Sequence, residues 1–114
     1  MKNYKKVKIY VGDDELNRYQ VTNLENKVYE FQDDTCINKI EINNDNIILT
    51  RDNEEFLLIV DKTKKDAYYK LKELNYELDI PINYFDLFED NNNLIITYQL
   101  ETNDKEIKLI LEGE

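Results

Sequence analysis

The chain has 114 residues, 41% of them hydrophobic and 35% charged, which is enough to bury one hydrophobic core and too few for two. A formal net charge of −10 repels phosphate backbones and anionic headgroups, so neither nucleic acid nor a membrane surface is an expected partner of this acidic protein. A single cysteine excludes a disulfide-stapled scaffold, and the lack of any histidine removes the commonest general base and leaves the usual zinc sites without ligands.

The chain opens on "KNYKKVK", where Lys2, Lys5, Lys6 and Lys8 decorate a first or edge strand and discourage pairing with foreign strands. The candidate strand 4–11 carries Val7, Ile9 and Val11 on one face and stops at "GDD". Further candidates are 16–22 and 27–31, then 36–42, where Ile40 and Ile42 share a face with Cys36, read as a small buried apolar residue. After "NNDN" at 43–46 comes 47–51, ending in Arg51. "FLLIV" at 56–60 is apolar at every position, which predicts a strand covered on both faces or one near the centre of the packing.

Residues 63–74 read two ways. Ala67, Leu71 and Leu74 lie at helical spacing behind a loose capping box of Thr63 and Asp66, while Tyr69 and Leu71 also alternate against Tyr68 and Lys70 as in a strand. The stretch "LNYELDIPI", 74–82, alternates without a break and turns Leu74, Tyr76, Leu78, Ile80 and Ile82 to one side, the side expected to face an interior. Pro81 lies on the polar side and lacks an amide hydrogen, so the ladder is expected to break at 81–83 and "YFDLF", 84–88, to run in a new direction. The last two segments, 94–100 and 106–111, form a hairpin across a short polar connection.

Turn signals recur about every ten residues, the rhythm of an all-β sandwich or barrel. With only two glycines, the turns must use Asn and Asp, which tolerate the left-handed conformation.

Little chemistry is on offer. The acidic residues fall in turns or on outward strand positions, the calcium-loop pattern is absent, and Gly12 and Gly113 cannot build a phosphate loop. No catalytic residue, metal or cofactor is expected, and the chain does not read as an enzyme. No apolar run has the length of a signal peptide or a membrane span, which gives a cytoplasmic location by default. Arg51 shares a face with Ile47 and Leu49. Either it points inward and needs a buried carboxylate, carbonyl or bound anion, or the strand stops short and the side chain reaches water.

The segment from "KIEINNDNIILTRDNEEFLLIVDKTKKDAYYKLKELNYELDIPI" to "NNNLIITYQLETNDKEIKLIL" resembles the YwiB-like bacterial family, calycin-like β-barrels of unknown function. The shared pattern is an alternating strand, a strand ending in Arg, an apolar strand, a Tyr-bearing strand, a long alternating strand and a Tyr-bearing hairpin. It covers 35–112 well and 4–31 loosely. The resemblance implies that 64–71 is a strand and that residues 1–114 form a single antiparallel up-and-down calycin-like (lipocalin-like) barrel of some eight to ten strands. Family members commonly have Gly before the long alternating strand, and "LKELNYEL" has none.

Such a barrel is either filled by side chains or holds one small ligand. The first expectation is a binding barrel for a small, partly apolar or anionic molecule, with Arg51, Tyr69, Tyr76 and Tyr98 beside it. The alternative is a protein-interaction module with a filled barrel that docks a protein partner through an exposed apolar patch at 84–88.

Overall fold

The computed structural model describes residues 3–44 and 46–114, so Lys2 of the basic opening and Asp45 of the "NNDN" turn lie outside the described residues. Eleven strands follow one another: β1 (Tyr4–Val11), β2 (Asp14–Gln20), β3 (Thr22–Leu24), β4 (Val28–Gln32), β5 (Ile37–Asn43), β6 (Asn46–Asp52), β7 (Phe56–Asp61), β8 (Asp66–Leu71), β9 (Tyr76–Asp90), β10 (Asn93–Leu100) and β11 (Ile107–Gly113). They form one antiparallel sheet in the order β2-β1-β11-β10-β9-β8-β7-β6-β5-β4-β3, with no helix among the described residues. This is an up-and-down β-barrel that closes almost completely, with one strand more than the upper end of the sequence expectation.

Closure depends on two stretches of chain that change partners. β9 pairs with β8 through Tyr76–Pro81 and with β10 through Ile82–Asp90, with a bulge opposite Gln99 and Leu100. At the handover the Ile82 amide donates to the Lys65 carbonyl at 2.8 Å, and the Glu101 amide donates to the Pro81 carbonyl at 2.8 Å. Pro81 therefore sits where one neighbouring strand ends and another begins, so its missing N–H disrupts no ladder. The strand bends there without ending, and 74–82 and 84–88 belong to one 15-residue element.

The second corner lies at Val21, between β2 and β3, whose amide donates to the Lys5 carbonyl at 2.9 Å. One step further the Asn23 side chain takes the place of a strand backbone: its Nδ2 donates to the Tyr4 carbonyl at 2.7 Å, and its Oδ1 accepts from the Tyr4 amide at 2.8 Å. Beyond this point β2 and β4 face each other without a ladder. The gap is spanned by the rings of Tyr19 and Phe31, stacked 6.2 Å apart.

The core follows the two-residue rhythm most plainly in β10, where Leu94, Ile96, Tyr98 and Leu100 are buried and their neighbours are not. Val7, Ile40, Ile47, Val60 and Leu111 join them in the core, each large side chain contributing about 1.5–3 kcal/mol by leaving water. Residues 66–71 are strand, and the helical reading falls because Ala67 and Tyr69 alternate inward with Tyr68 and Lys70 outward.

The Asn-built turns are present: Asn26, Asn44, Asn75 and Asn91 all have positive φ. Asn75, at φ 46°, supplies the left-handed residue for which the resemblance would have used Gly.

Four expectations fail. "FLLIV" forms β7 near the middle of the sheet, but no second layer covers it. Only Val60 is buried, and the outward Leu57 and Ile59 are half-sheltered by their cross-strand neighbours, Lys70 and Tyr68. In "YFDLF", Phe85 is a core residue stacked on Tyr98 at 5.9 Å, so only Phe88 stands out as a large exposed apolar side chain and no patch exists there. In 74–82 only Ile80 and Ile82 pack on the core, whereas Leu74 lies in the turn and Tyr76 and Leu78 stay 53% and 42% exposed. Alternation assigns those two to the inner face, but nothing stands opposite them. The lysines of the opening do not guard an edge either, because β1 lies between β2 and β11, with Lys8 paired to Glu112.

The Asn23 bridge gives a direct test. Asn23→Ala leaves both backbone groups of Tyr4 without their partners and should cost about 1–3 kcal/mol in urea unfolding, whereas Asn17→Ala, at an exposed position of β2, should stay within about 0.5 kcal/mol. Equal losses would show that the side-chain bridge does not close the barrel.

Candidate binding site at the barrel mouth

At the end of the barrel that carries the 33–36, 53–55 and 101–106 loops, the two walls separate and leave a cavity of about 240 Å³. One wall comes from β1, β2, β10 and β11, including Ile9, Tyr98 and Leu109, and the other from β4, β5 and β6, including Phe31, Ile40 and Leu49. The lining is therefore mostly apolar, with Asp33, Asn38 and Arg51 as its main polar members.

β6 continues through Arg51, so the side chain is directed inward, as the alternation with Ile47 and Leu49 requires. The side chain is 37% exposed, yet two of its nitrogens are held by the protein. Its Nε donates to Asn38 Oδ1 at 3.1 Å, and its Nη2 donates to Asp33 Oδ2 at 3.2 Å. Nη2 also lies 3.4 Å from the Cys36 sulfur. The remaining guanidinium nitrogen, Nη1, has no hydrogen-bond partner among the described residues.

Asp33 is the anchor of this cluster. Its side chain is 11% exposed, and Oδ1 accepts from the amides of Thr35 and Cys36 at 2.8 and 2.7 Å while Oδ2 accepts from Asn38 Nδ2 at 3.0 Å. Burial alone pushes the Asp33 carboxyl up. The hydrogen bonds from Asn38, Thr35 and Cys36, together with the Arg51 charge, outweigh burial and hold it below its ordinary value of 3.8.

Cys36 is buried as expected, but not among apolar groups: Thr35 Oγ1, Arg51 Nη2 and Asn53 Nδ2 all approach its sulfur. Tyr98 faces Arg51 from the opposite wall. Burial pushes its hydroxyl up, and the Arg51 charge partly counters this. That hydroxyl makes no hydrogen bond to the described residues.

Of the four residues expected at the site, the structure brings Arg51 and Tyr98 together. Tyr69 and Tyr76 are not among the lining residues: Tyr69 packs against Phe56 at 5.6 Å on the inner face of β8, and Tyr76 is exposed on the first turnward residue of β9. Sequence reasoning missed Asp33 and Asn38. The signal for Asn38 was available, since it shares the inward parity of Cys36, Ile40 and Ile42. Asp33 sits in a loop with no periodicity to reveal its direction.

The arrangement can orient one acceptor group. Nη1 of Arg51 and the Tyr98 hydroxyl are donors without an acceptor among the described residues, on side chains that line a mostly apolar chamber. Among the described residues no group of His, Cys, Asp and Glu is placed to hold a metal ion. No protein-family model, no curated protein and no solved structure matches the chain.

The depressed Asp33 carboxyl fixes a pH dependence. A group whose folded value lies below its unfolded value adds stability above the unfolded value, near pH 3.8, and loses it as pH falls through the folded one. The stability gap between the wild type and Asp33→Asn should therefore be full at pH 6–7 and shrink below about pH 4 in chemical denaturation. A gap independent of pH would show that the carboxylate charge is not what holds the cluster.

Proposed function

We propose that the protein is a barrel that binds one small, partly apolar molecule carrying an acceptor group such as a carboxylate, with Arg51 and Tyr98 as the residues that receive that group. The observation that carries this reading is the pair of unpartnered donors, Arg51 Nη1 and Tyr98 Oη, at the edge of a mostly apolar cavity of about 240 Å³.

Size narrows the ligand. A cavity of about 150 Å³ accommodates benzene, so this one holds on the order of ten non-hydrogen atoms. Short-chain or aryl carboxylates fit; long-chain fatty acids and retinoid-like molecules do not. Charge supports a single acceptor group over a polyanion, because Asp33 balances Arg51 and the other charged residues bordering the chamber, Asp34 and Lys39, offset each other. Membership of the YwiB-like, calycin-like barrels that the strand order resembles, with a cytoplasmic location, is part of the proposal.

A thermal-shift screen of short-chain and aryl carboxylates tests it. At ligand concentrations about a hundredfold above Kd the stabilisation should approach 2.7 kcal/mol, seen as a clear rise in Tm. Arg51→Lys and Tyr98→Phe should each weaken binding about tenfold, since each removes one donor while keeping the bulk. A flat response across the screen, or unchanged affinity in both variants, would overturn the assignment.

A further inference from the structure

We propose a second binding surface, independent of the cavity: the free edge of β9 before Pro81, which takes an extended peptide of alternating basic and apolar residues as an added antiparallel strand. Three features of the first half of β9 point to this occupant.

The first is the backbone. The Ile82 amide turns toward β8 and the Pro81 carbonyl turns away from it, toward Glu101. By the alternation of a strand, Glu77 and Asp79 also direct their N–H and C=O groups away from β8. β10 leaves β9 at Ile82, so no strand among the described residues meets those groups. They form a short row of unpaired donors and acceptors, the template on which a further strand adds.

The second is the inner face. Leu58, Tyr69 and Leu78 lie in register across β7, β8 and β9, and Phe56, Leu71 and Tyr76 form the next row. None of the six is buried, and Tyr76 and Leu78 at the free edge are the most exposed. Side chains of an added strand on this face would meet apolar neighbours.

The third is the outer face, where Glu77 and Asp79 alternate with those apolar positions and both are exposed. An added strand presents its residues to the two faces in the same rhythm, apolar beside Tyr76 and Leu78, basic beside Glu77 and Asp79. This charge pattern also argues against a second copy of the chain, because self-pairing would set Glu77 and Asp79 against their own equivalents.

The test is fluorescence anisotropy with a labelled peptide of alternating lysine and valine, about seven residues long. Its comparator is an isomer of the same composition with lysines and valines in two blocks. The alternating peptide should bind at least about tenfold more tightly than the block isomer, and its addition should slow hydrogen exchange at the Glu77 and Asp79 amides. Asp79→Pro removes an edge donor while sparing the ladder to β8, and Leu78→Lys removes the apolar neighbour and adds like charge. Each should weaken binding about tenfold. Equal affinity for the two peptides, no binding of the alternating one, or unchanged affinity in both variants would overturn the proposal. So would sedimentation data that place a second copy of the chain on this edge.

Discussion

Closing a sheet on itself requires some strands to serve two neighbours in succession, and this requirement governs the whole molecule. β9 meets it by passing from β8 to β10 at Pro81, and the run from β2 to β3 meets it at Val21. Each handover is held by backbone hydrogen bonds in which one partner, Lys65, Glu101 or Val21, lies outside the strands. Because the partner changes, each corner strand has a portion with an open flank. At the first corner that flank is the edge of Glu77 and Asp79. At the second it is the gap between β2 and β4 that the Tyr19 and Phe31 rings span. The cavity and the exposed inner face of the β8–β9 hairpin thus share one geometric origin, the divergence of the walls at the end where the corners open.

The polar cluster at the mouth shows how the protein carries an inward arginine without leaving its charge unpaired. Asp33, fixed by the loop amides of Thr35 and Cys36, holds one edge of the Arg51 guanidinium, and Asn38 holds Nε. The side chain is therefore ordered before anything enters the cavity, so little further rotamer freedom remains to be lost on binding. The same arrangement limits what the site accepts. With Asp33 already opposite Arg51, the chamber offers donors to one acceptor group and little net positive charge to attract more.

The strands themselves were legible because side-chain alternation reports which residues share a face. That rhythm located β10 and β11, assigned Arg51 to the face of Ile47 and Leu49, and, with Pro81, located the bend in β9. It could not report what stands opposite a face. Tyr76 and Leu78 alternate as faithfully as Ile80 and Ile82, yet the first pair looks into an opening and the second into the core. Phe85 misled in the opposite way, since its setting among polar and aromatic neighbours suggested a patch, while its register opposite Tyr98 places it inside. Residue type and alternation together group Tyr69 and Tyr76 with Arg51, but the separation of the walls sends them to another surface. Asp33 was illegible for a different reason: an aspartate in a turn is ordinarily solvated, and only the pairing of β5 with β6 brings Asn38 and Arg51 within its reach.

The first and last described residues meet at the sealed end, where the Glu114 amide donates to the Asn3 carbonyl at 3.3 Å and Tyr4 pairs with Gly113. Both therefore lie at the base of the cylinder, a full strand length from the rim. A support attached through Glu114 is set at the far end from the opening.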